Sequence, residues 1–492
     1  MKQMENLIPI TKPWIKNVNE HNEFFDCIES IEWKRISNIN GKYFMIASDS
    51  GIFFEISKKA NDELARFEVS RNPYVISKKI QAELESLIKV GAFQKKPQYQ
   101  PKNPAVSSLN LNICHYCNLY CDYCFAEKGT YGDNGGAIKI NIAKEIICLF
   151  LQQLPENGWG NIVLFGGEPL LEKSLIKEIL RYGREQEKRC GKYLQFDLFT
   201  NGTLIDKEFL NWFQADKNIR LLVSMDGAPE MNDAFRHGEK GTGKLIEGNL
   251  RELLSIDDKR IVVRATLSEK EPKLTEKSEY FTKLGALNIV FEPAYTKGNE
   301  KIDDIADIFR GIEEELTCLG DYLLNALYNG RKINISVISS AISDILQSQR
   351  GKGNCYVPCC PAGRTYLSVD IRGDIYPCHY FNRRTNFKLG NVKDGYLPTK
   401  NMITDNGFQD LSKKNNRCSK CLYKSVCSGL CPFRSLLMEF NKKEEYLQEA
   451  YCKLMDMRYK EALRILSSFY SKMNYPYVKD WYCIIQTENK RR

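Results

Sequence analysis

Leu109-Asn-Leu-Asn-Ile-Cys-His-Tyr-Cys-Asn-Leu-Tyr-Cys-Asp-Tyr-Cys-Phe125 runs from a buried-looking strand straight into a dense set of thiols. Within it, Cys117, Cys121 and Cys124 stand in Cys-x3-Cys-x2-Cys spacing, with Asn118, Leu119, Tyr123 and Phe125 around them. Three thiolates this close on a loop can converge on three corners of a four-iron cluster, whose irons take cysteine sulfur as ligand. The fourth iron is then left without a protein ligand, and an open position is what separates a reactive metal site from a structural one. Zinc fits the stretch poorly. Only three residues separate Cys114-x2-Cys117 from Cys121-x2-Cys124, too few to wrap four ligands around one tetrahedral ion. Cys114 falls at no ligand position and is expected as a buried thiol.

The 492 residues allow two to four domains, and a 43% hydrophobic content is that of a well-cored globular protein. Eighteen cysteines against four histidines favour thiolate-bound metal over a disulfide framework. The chain opens with Met1-Lys-Gln-Met-Glu and shows no apolar signal or membrane-spanning run, so a reducing cytoplasm is the expected setting. The formal charge of +9 is dispersed, with no basic run longer than a few residues before Lys490-Arg-Arg. Neither a nucleic acid nor a membrane partner is called for; an acidic peptide is compatible.

Residues from about Ile31 to Phe93 read as a small module. Tyr43-Phe-Met-Ile-Ala, the turn Asp49-Ser-Gly51 and Ile52-Phe-Phe-Glu-Ile56 form a β-hairpin pattern. Two helices follow. One starts at the capping Ser57 and runs to Phe67; the other, Ile76 to Val90, sets Ile80, Leu84, Leu87 and Ile88 on one face before Gly91. In pattern this resembles the winged-helix element that binds leader peptides in enzymes modifying ribosomally made peptides; a structural cap and a DNA-binding winged helix are the alternatives. Pro97 to Pro104 has linker composition.

Beyond it, apolar runs alternate with helical patterns. Strands are expected at Leu109–Ile113, Asn161–Phe165, Leu194–Phe199, Ile219–Val223, Ile261–Leu267 and Leu287–Phe291, with a helix from Asn141 to Leu154 after the first. Six such units predict an α/β fold built as a partial (β/α)6 barrel, whose chemistry sits on loops at the C-terminal strand ends. Gly166-Gly-Glu-Pro169, Thr200-Asn-Gly-Thr203 and Ser224-Met-Asp-Gly227 all fall there.

The cysteine spacing, Asn118 and the aromatic beside the last thiol, with Gly166-Gly167-Glu168-Pro169 one crossover later, resemble the radical S-adenosylmethionine (SAM) enzymes. The resemblance implies a [4Fe-4S] cluster on Cys117, Cys121 and Cys124. Its open iron chelates SAM, which an electron from the cluster cleaves to a 5′-deoxyadenosyl radical. It implies a Glu168 carboxylate for the methionyl ammonium and places Thr200, Asn201, Ser224 and Asp226 around SAM. Asn232, Arg236 and Gly241-Thr-Gly243 complete the stretch, with Arg236 or Arg264 for the SAM carboxylate.

A third block follows residues 301–354, which carry helical signals only. Cys360, Gly373 and Cys378 fit Cys-x9–15-Gly-x4-Cys, and Cys418-x2-Cys421-x5-Cys427-x3-Cys431 precedes Cys452. This resembles the SPASM extension of radical SAM enzymes. It implies two auxiliary [4Fe-4S] clusters, three in all: one on Cys360, Cys378 and Cys431 with Cys355 or Cys359, the other on Cys418, Cys421, Cys427 and Cys452. Full ligation would favour electron transfer, an open position substrate thiolate binding. Cys27, Cys148, Cys190, Cys318 and Cys483 have no motif partners and are expected as buried thiols.

The resemblance is to sactipeptide-type and six-cysteine-peptide maturases, most visibly in Gly373 to His379 and Phe387 to Asn391. It implies an oxidoreductase that forms a thioether or carbon–carbon crosslink in a leader-bearing precursor peptide, fed by an electron donor such as flavodoxin or ferredoxin. Anaerobic sulfatase maturases share the barrel and the SPASM block, but carry an Asp base where His379 stands; His379 is the candidate base here. An iron–sulfur sensor joined to a DNA-binding module is the rival outside catalysis. The expected domains are 1–100 (winged-helix-like), 105–300 (radical SAM barrel), 301–354 (helical connection), 355–455 (SPASM) and 456–492 (helical tail).

Overall fold

A computed structural model describes residues 33–93 except 40, 49, 90 and 91; 105–294 except 133, 134 and 240; 302–349; 360–398; and 418–470 except 419, 428, 442 and 443. Cys27, Cys355, Cys359 and Cys483 lie outside the described residues, as does the stretch from Pro97 to Pro104.

The described residues begin with three antiparallel strands, β1 (Trp33–Ile39), β2 (Lys42–Ala47) and β3 (Ile52–Ile56), in that order across the sheet. Helices α1 (Lys58–Ser70) and α2 (Lys78–Lys89) follow, and the Ser57 side chain caps α1 by accepting from the Ala60 amide at 3.1 Å. The apolar run of β2 has a two-sided explanation. Met45 and Ala47 face α1 and α2, whereas Phe44 and Ile46 face the core of the main body. On β3, Phe53 reaches the same core and stacks on Tyr423 at 6.5 Å, and Lys42 donates to the Ser467 carbonyl at 3.0 Å. The module therefore shares a core with the C-terminal block. Phe53→Ala is expected to cost about 3 kcal/mol by opening a cavity there; a urea midpoint equal to the wild type's would contradict that packing.

The main body runs β4 (Ser108–Cys114), β5 (Tyr120–Cys121), α3 (Ile140–Gln153), β6 (Trp159–Gly166), α4 (Lys173–Cys190), β7 (Tyr193–Thr200), α5 (Lys207–Ala215), β8 (Ile219–Ser224), α6 (Pro229–Asp233), β9 (Arg236–His237), α7 (Thr242–Asp257), β10 (Ile261–Leu267), α8 (Leu274–Lys283) and β11 (Asn288–Pro293). β4, β6, β7, β8, β10 and β11 are parallel and adjacent in chain order, as successive crossovers of one hand require. All six expected strands are present. Alternate apolar side chains along them, among them Leu109, Ile162, Leu198, Leu221 and Val263, are fully buried.

Then come α9 (Ile302–Tyr328), β12 (Asn334–Ile335), α10 (Ser336–Gln349), β13 (Tyr366–Val369), β14 (Asp374–Tyr376), β15 (Gly390–Asn391), α11 (Pro432–Asn441) and α12 (Glu444–Tyr470). β12 extends the sheet beyond β11. At the other edge, β13 pairs in parallel with β4, in register from Tyr366 on Ser108 to Val369 on Leu111, and β14 and β15 continue the sheet. The cysteine-rich block thus begins as an extension of the barrel sheet. α12 lies along α9, held by an Arg464–Asp321 ion pair at 2.6 Å. Gly320 permits this approach, since a Cβ there would stand 1.5 Å from Glu461 Oε1. The expected boundary at 455/456 falls inside this continuous helix.

Three of the thiols expected to be buried are otherwise. Cys190 and Cys318 are exposed at helix surfaces, and Cys148 is half-buried with its sulfur 2.9 Å from the Tyr182 hydroxyl. Cys114 is buried as expected. No helix of the described residues is long and apolar enough to cross a membrane.

Candidate functional site

The C-terminal strand ends converge on one cavity of about 130 Å³. The loop after β4 supplies Cys117, Cys121 and Cys124; β6 supplies Gly166 to Pro169; β7 supplies Thr200 and Asn201; β8 supplies Ser224. Arg236, Arg264, Glu292 and Tyr380 complete it.

The cysteine loop is tied down from several sides. β5 pairs antiparallel with β9, setting Cys121 opposite Arg236. Asn118 donates to the Thr203 hydroxyl at 2.9 Å and accepts from the Asn201 side chain at 2.8 Å. Polar hydrogens also reach the sulfurs: the Leu119 amide lies 3.4 Å from Cys117 Sγ, and Arg236 lies 3.9 Å from Cys121 Sγ. Burial pushes the Cys117 thiol up to about 12, with the Glu168 charge adding to it, and the Cys121 thiol up to about 11 against the pull of Arg236. Buried thiols of this kind give up their protons to a bound metal rather than to water. Among the described residues, no three His, Cys, Asp or Glu groups converge closely enough to hold a single ion; thiolates on separate irons have no such requirement. A soft, all-sulfur donor set with N–H groups aimed at it fits an iron–sulfur cluster.

Gly167 packs against the loop's backbone: a Cβ there would sit 1.9 Å from the Tyr116 carbonyl oxygen. The following Glu168 is fully buried and accepts hydrogen bonds from the Leu170 amide (3.0 Å), the Thr200 hydroxyl (2.8 Å) and the Asn201 amide (2.6 Å). Burial outweighs those donors and raises its carboxyl from 4.5 to about 7.

Asp226 is placed differently from Ser224. Its carboxylate turns into the protein, accepting from Arg236 at 2.9 and 3.1 Å, from the Thr266 amide at 2.8 Å and from the Tyr123 hydroxyl. Asp226 thereby ties the β8 loop, β9, β10 and the cysteine loop together behind the cavity wall. Arg236 is committed to that pairing, with its guanidinium over the Tyr123 ring at 5.5 Å.

His379 does not line the cavity with its neighbour Tyr380. It sits against Phe165 (5.1 Å) and Phe125 (5.7 Å), and its Nδ1 lies 2.9 Å from the Tyr366 hydroxyl. Burial, with the Arg264 charge adding, lowers its imidazole to about 3. A ring that holds a proton so weakly, with one nitrogen already engaged, is a poor base near neutral pH. Tyr380, Thr266 and Glu292 were not singled out in the sequence, and Tyr123 was named there only as an aromatic between the cysteines. Only the position of Tyr380, two residues beyond a motif cysteine, carried a signal.

In the C-terminal block, Cys360, Cys378 and Cys431 lie close enough for the first and last to raise the thiol of the buried Cys378, beyond the larger effect of its burial. Cys360 and Cys431 also line a second cavity, of about 470 Å³. Cys418, Cys421 and Cys427 share a compact turn, closed by the Cys421 amide on the Cys418 carbonyl (3.2 Å) and the Cys427 amide on the Tyr423 carbonyl (2.8 Å). Cys452 stands on α12 next to Tyr451, whose hydroxyl donates to the Gly429 carbonyl at 2.8 Å.

Residues 111–254 match the radical SAM superfamily, and residues 359–422 match SPASM, an iron–sulfur cluster-binding domain; Cys427, Cys431 and Cys452 lie beyond the second match. The chain thus carries a radical SAM domain followed by a SPASM domain and is an enzyme, and these domains imply iron–sulfur clusters and SAM binding. The AdoMet-dependent heme synthase of Methanosarcina barkeri is 26% identical over 68% of this chain and 93% of its own length. A cysteine-type anaerobic sulfatase-maturating enzyme of Clostridium perfringens is 23% identical over 67% and 89%. The subtilosin biosynthesis protein AlbA of Bacillus subtilis is 29% identical over 65% and 66%. Among solved structures, native anSMEcpe with bound AdoMet matches at a TM-score of 0.59 and 19% identity, over 74% of this chain and 100% of that one. The fold is therefore that of radical SAM enzymes with a SPASM domain.

Proposed function

We propose that this enzyme matures a ribosomally synthesised peptide, closing a thioether or carbon–carbon crosslink. The observation that carries the reading is the single cavity in which Cys117, Cys121 and Cys124 meet Gly166 to Pro169, Thr200, Asn201 and Ser224. The bound cluster and SAM supply a 5′-deoxyadenosyl radical able to take hydrogen from an unactivated carbon. The chain's own residues hold the reactants for that event. Glu168 receives the methionyl ammonium, Ser224 and Asn201 approach SAM from β8 and β7, and Asp226 acts from behind by fixing Arg236 and Tyr123. Cys360, Cys378 and Cys431, with Cys355 or Cys359, hold one auxiliary [4Fe-4S] cluster. Cys418, Cys421, Cys427 and Cys452 hold the other. Flavodoxin or ferredoxin supplies the electron.

The N-terminal module, within residues 1–100, holds the leader. β3 is an end strand of its sheet, and an extended peptide adds to such an edge by main-chain hydrogen bonds. Remote affinity of this kind positions the reacting residue without crowding the cavity. The likeness to AlbA, named for biosynthesis of the bacteriocin subtilosin, supports a peptide substrate. A sulfatase-type activity is the second reading, favoured by the Clostridium relative; it lacks its Asp, and His379 is ill placed to replace it. The sensor reading yields to the enzyme assignment.

Anaerobically reconstituted protein should hold about twelve irons on three clusters; a content near four would assign the C-terminal cysteines to something else. Glu168 gives a second check. Its folded carboxyl, near 7 against an ordinary 4.5, keeps a proton that the unfolded chain releases between those values. Its contribution to stability is therefore present at low pH and lost as pH rises through 7. An ammonium beside it favours the carboxylate, so SAM binding near pH 6.5 should release a large fraction of a proton. Calorimetry in two buffers of different ionisation enthalpy measures this, and identical heats would remove Glu168 from the ammonium site.

A further inference from the structure

The cavity has two sides. The cysteine loop and the loops after β6, β7 and β8 make one; the ends of β10 and β11 and the turn after Cys378 make the other, with Arg264, Thr266, Glu292 and Tyr380 among its side chains. The first side carries the motifs assigned to SAM. The second carries Arg264, which the resemblance offered beside Arg236 for the SAM carboxylate, and none of the recurring motifs; it is the side left for substrate.

The two charged side chains of the second side differ in how they are held. Glu292 has the Arg434 guanidinium 3.9 Å away, and Arg434 also donates to the Pro293 carbonyl at 2.9 Å. Arg264 lines the cavity half-buried, and among the described residues its side chain makes no hydrogen bond or ion pair. Arg236 is different: both carboxylate oxygens of Asp226 hold it, and its remaining reach is toward Cys121. The two arginines thus serve opposite sides. A guanidinium drawn partly out of water without a partner is stabilised by an arriving anion, and its planar fork matches a carboxylate with two parallel hydrogen bonds.

We propose that Arg264 is a substrate-binding residue that receives a peptide carboxylate, an acidic side chain or a free C-terminus, beside the residue being modified. Tyr380, two residues beyond Cys378, lines the same side and stacks on Phe433 at 5.2 Å. The inference rests on the peptide reading above and adds the chemistry of the bound segment.

The test uses oxidised holoenzyme loaded with SAM, in which no cleavage occurs, and calorimetric binding of three short peptides: acetyl-Gly-Asp-Gly-amide, acetyl-Gly-Asn-Gly-amide and acetyl-Gly-Ala-Gly with a free C-terminus. A charge-assisted pair predicts that one of the carboxylate peptides binds about tenfold or more tighter than the Asn peptide. Which one does so identifies the source. Arg264→Gln should abolish that preference while changing SAM affinity by less than about twofold, and Arg264→Lys, which keeps the charge without the fork, should retain part of it. Equal binding of all three peptides by the wild type overturns the proposal. So does an Arg264→Gln variant that loses about tenfold in SAM affinity and keeps the peptide preference, since Arg264 would then serve the carboxylate of SAM. Failure of the wild type to bind SAM at all would instead undo the functional reading itself, and the same titration series reads it separately.

Discussion

Changing Cys117, Cys121 and Cys124 together to Ala should lower the iron content by about four per chain and reduce 5′-deoxyadenosine formation to background. The three sulfurs line one cavity, and the thiols of the C-terminal block lie on other elements. The fold should survive. The loop's anchors are Asn118 to Thr203, Asn201 to Asn118 and the β5–β9 pairing, none of which needs a sulfur. The auxiliary clusters should therefore persist, giving a protein with an unchanged circular dichroism spectrum and about eight irons. Undiminished SAM cleavage under dithionite would remove the triad from the chemistry.

Asp226→Ala should be among the most damaging single changes outside the cysteines. It leaves the Arg236 guanidinium buried without its two hydrogen-bonded oxygens, and strips partners from the Thr266 amide and the Tyr123 hydroxyl. Breaking a buried pair from one side costs about 3–5 kcal/mol, most of it from the charge left behind. The double variant Asp226→Ala/Arg236→Ala should recover part of that loss. Urea unfolding of the cluster-free protein measures both, and a single-variant change below about 1 kcal/mol would show that Asp226 is not the tie described here.

The barrel was legible because its signals are local. Apolar runs of five to seven residues, separated by amphipathic helices, placed all six parallel strands within one or two residues of their ends. The Gly-Gly-Glu-Pro and cysteine motifs fell at strand ends for the same reason. Less legible was what depends on distant pairing. β13 is four residues long, and nothing in Tyr366-Leu-Ser-Val says that it joins β4. The apolar run of β2 reads as a hairpin strand from the sequence, but not as one buried on both faces. Side-chain direction was also hidden. His379 and Tyr380 are consecutive on a single turn of 3₁₀ helix, and only the second lines the cavity. Motif adjacency favoured the histidine; the geometry favours the tyrosine. Likewise, Asp226 belongs to a motif expected around SAM, yet its oxygens are spent on the scaffold.

If, as proposed, the radical chemistry joins two residues of a peptide, the product will carry the mark of it. The test is the mass of the product when the intact enzyme, reconstituted with iron and sulfide and supplied with SAM and a low-potential electron donor, meets a short leader-bearing, cysteine-containing candidate precursor peptide. Two hydrogen atoms should be lost per crosslink, with fragmentation blocked between the joined residues and one molecule of 5′-deoxyadenosine formed for each bond. A peptide returned unmodified while SAM is cleaved, or one whose cysteine or serine has become an aldehyde, would contradict it.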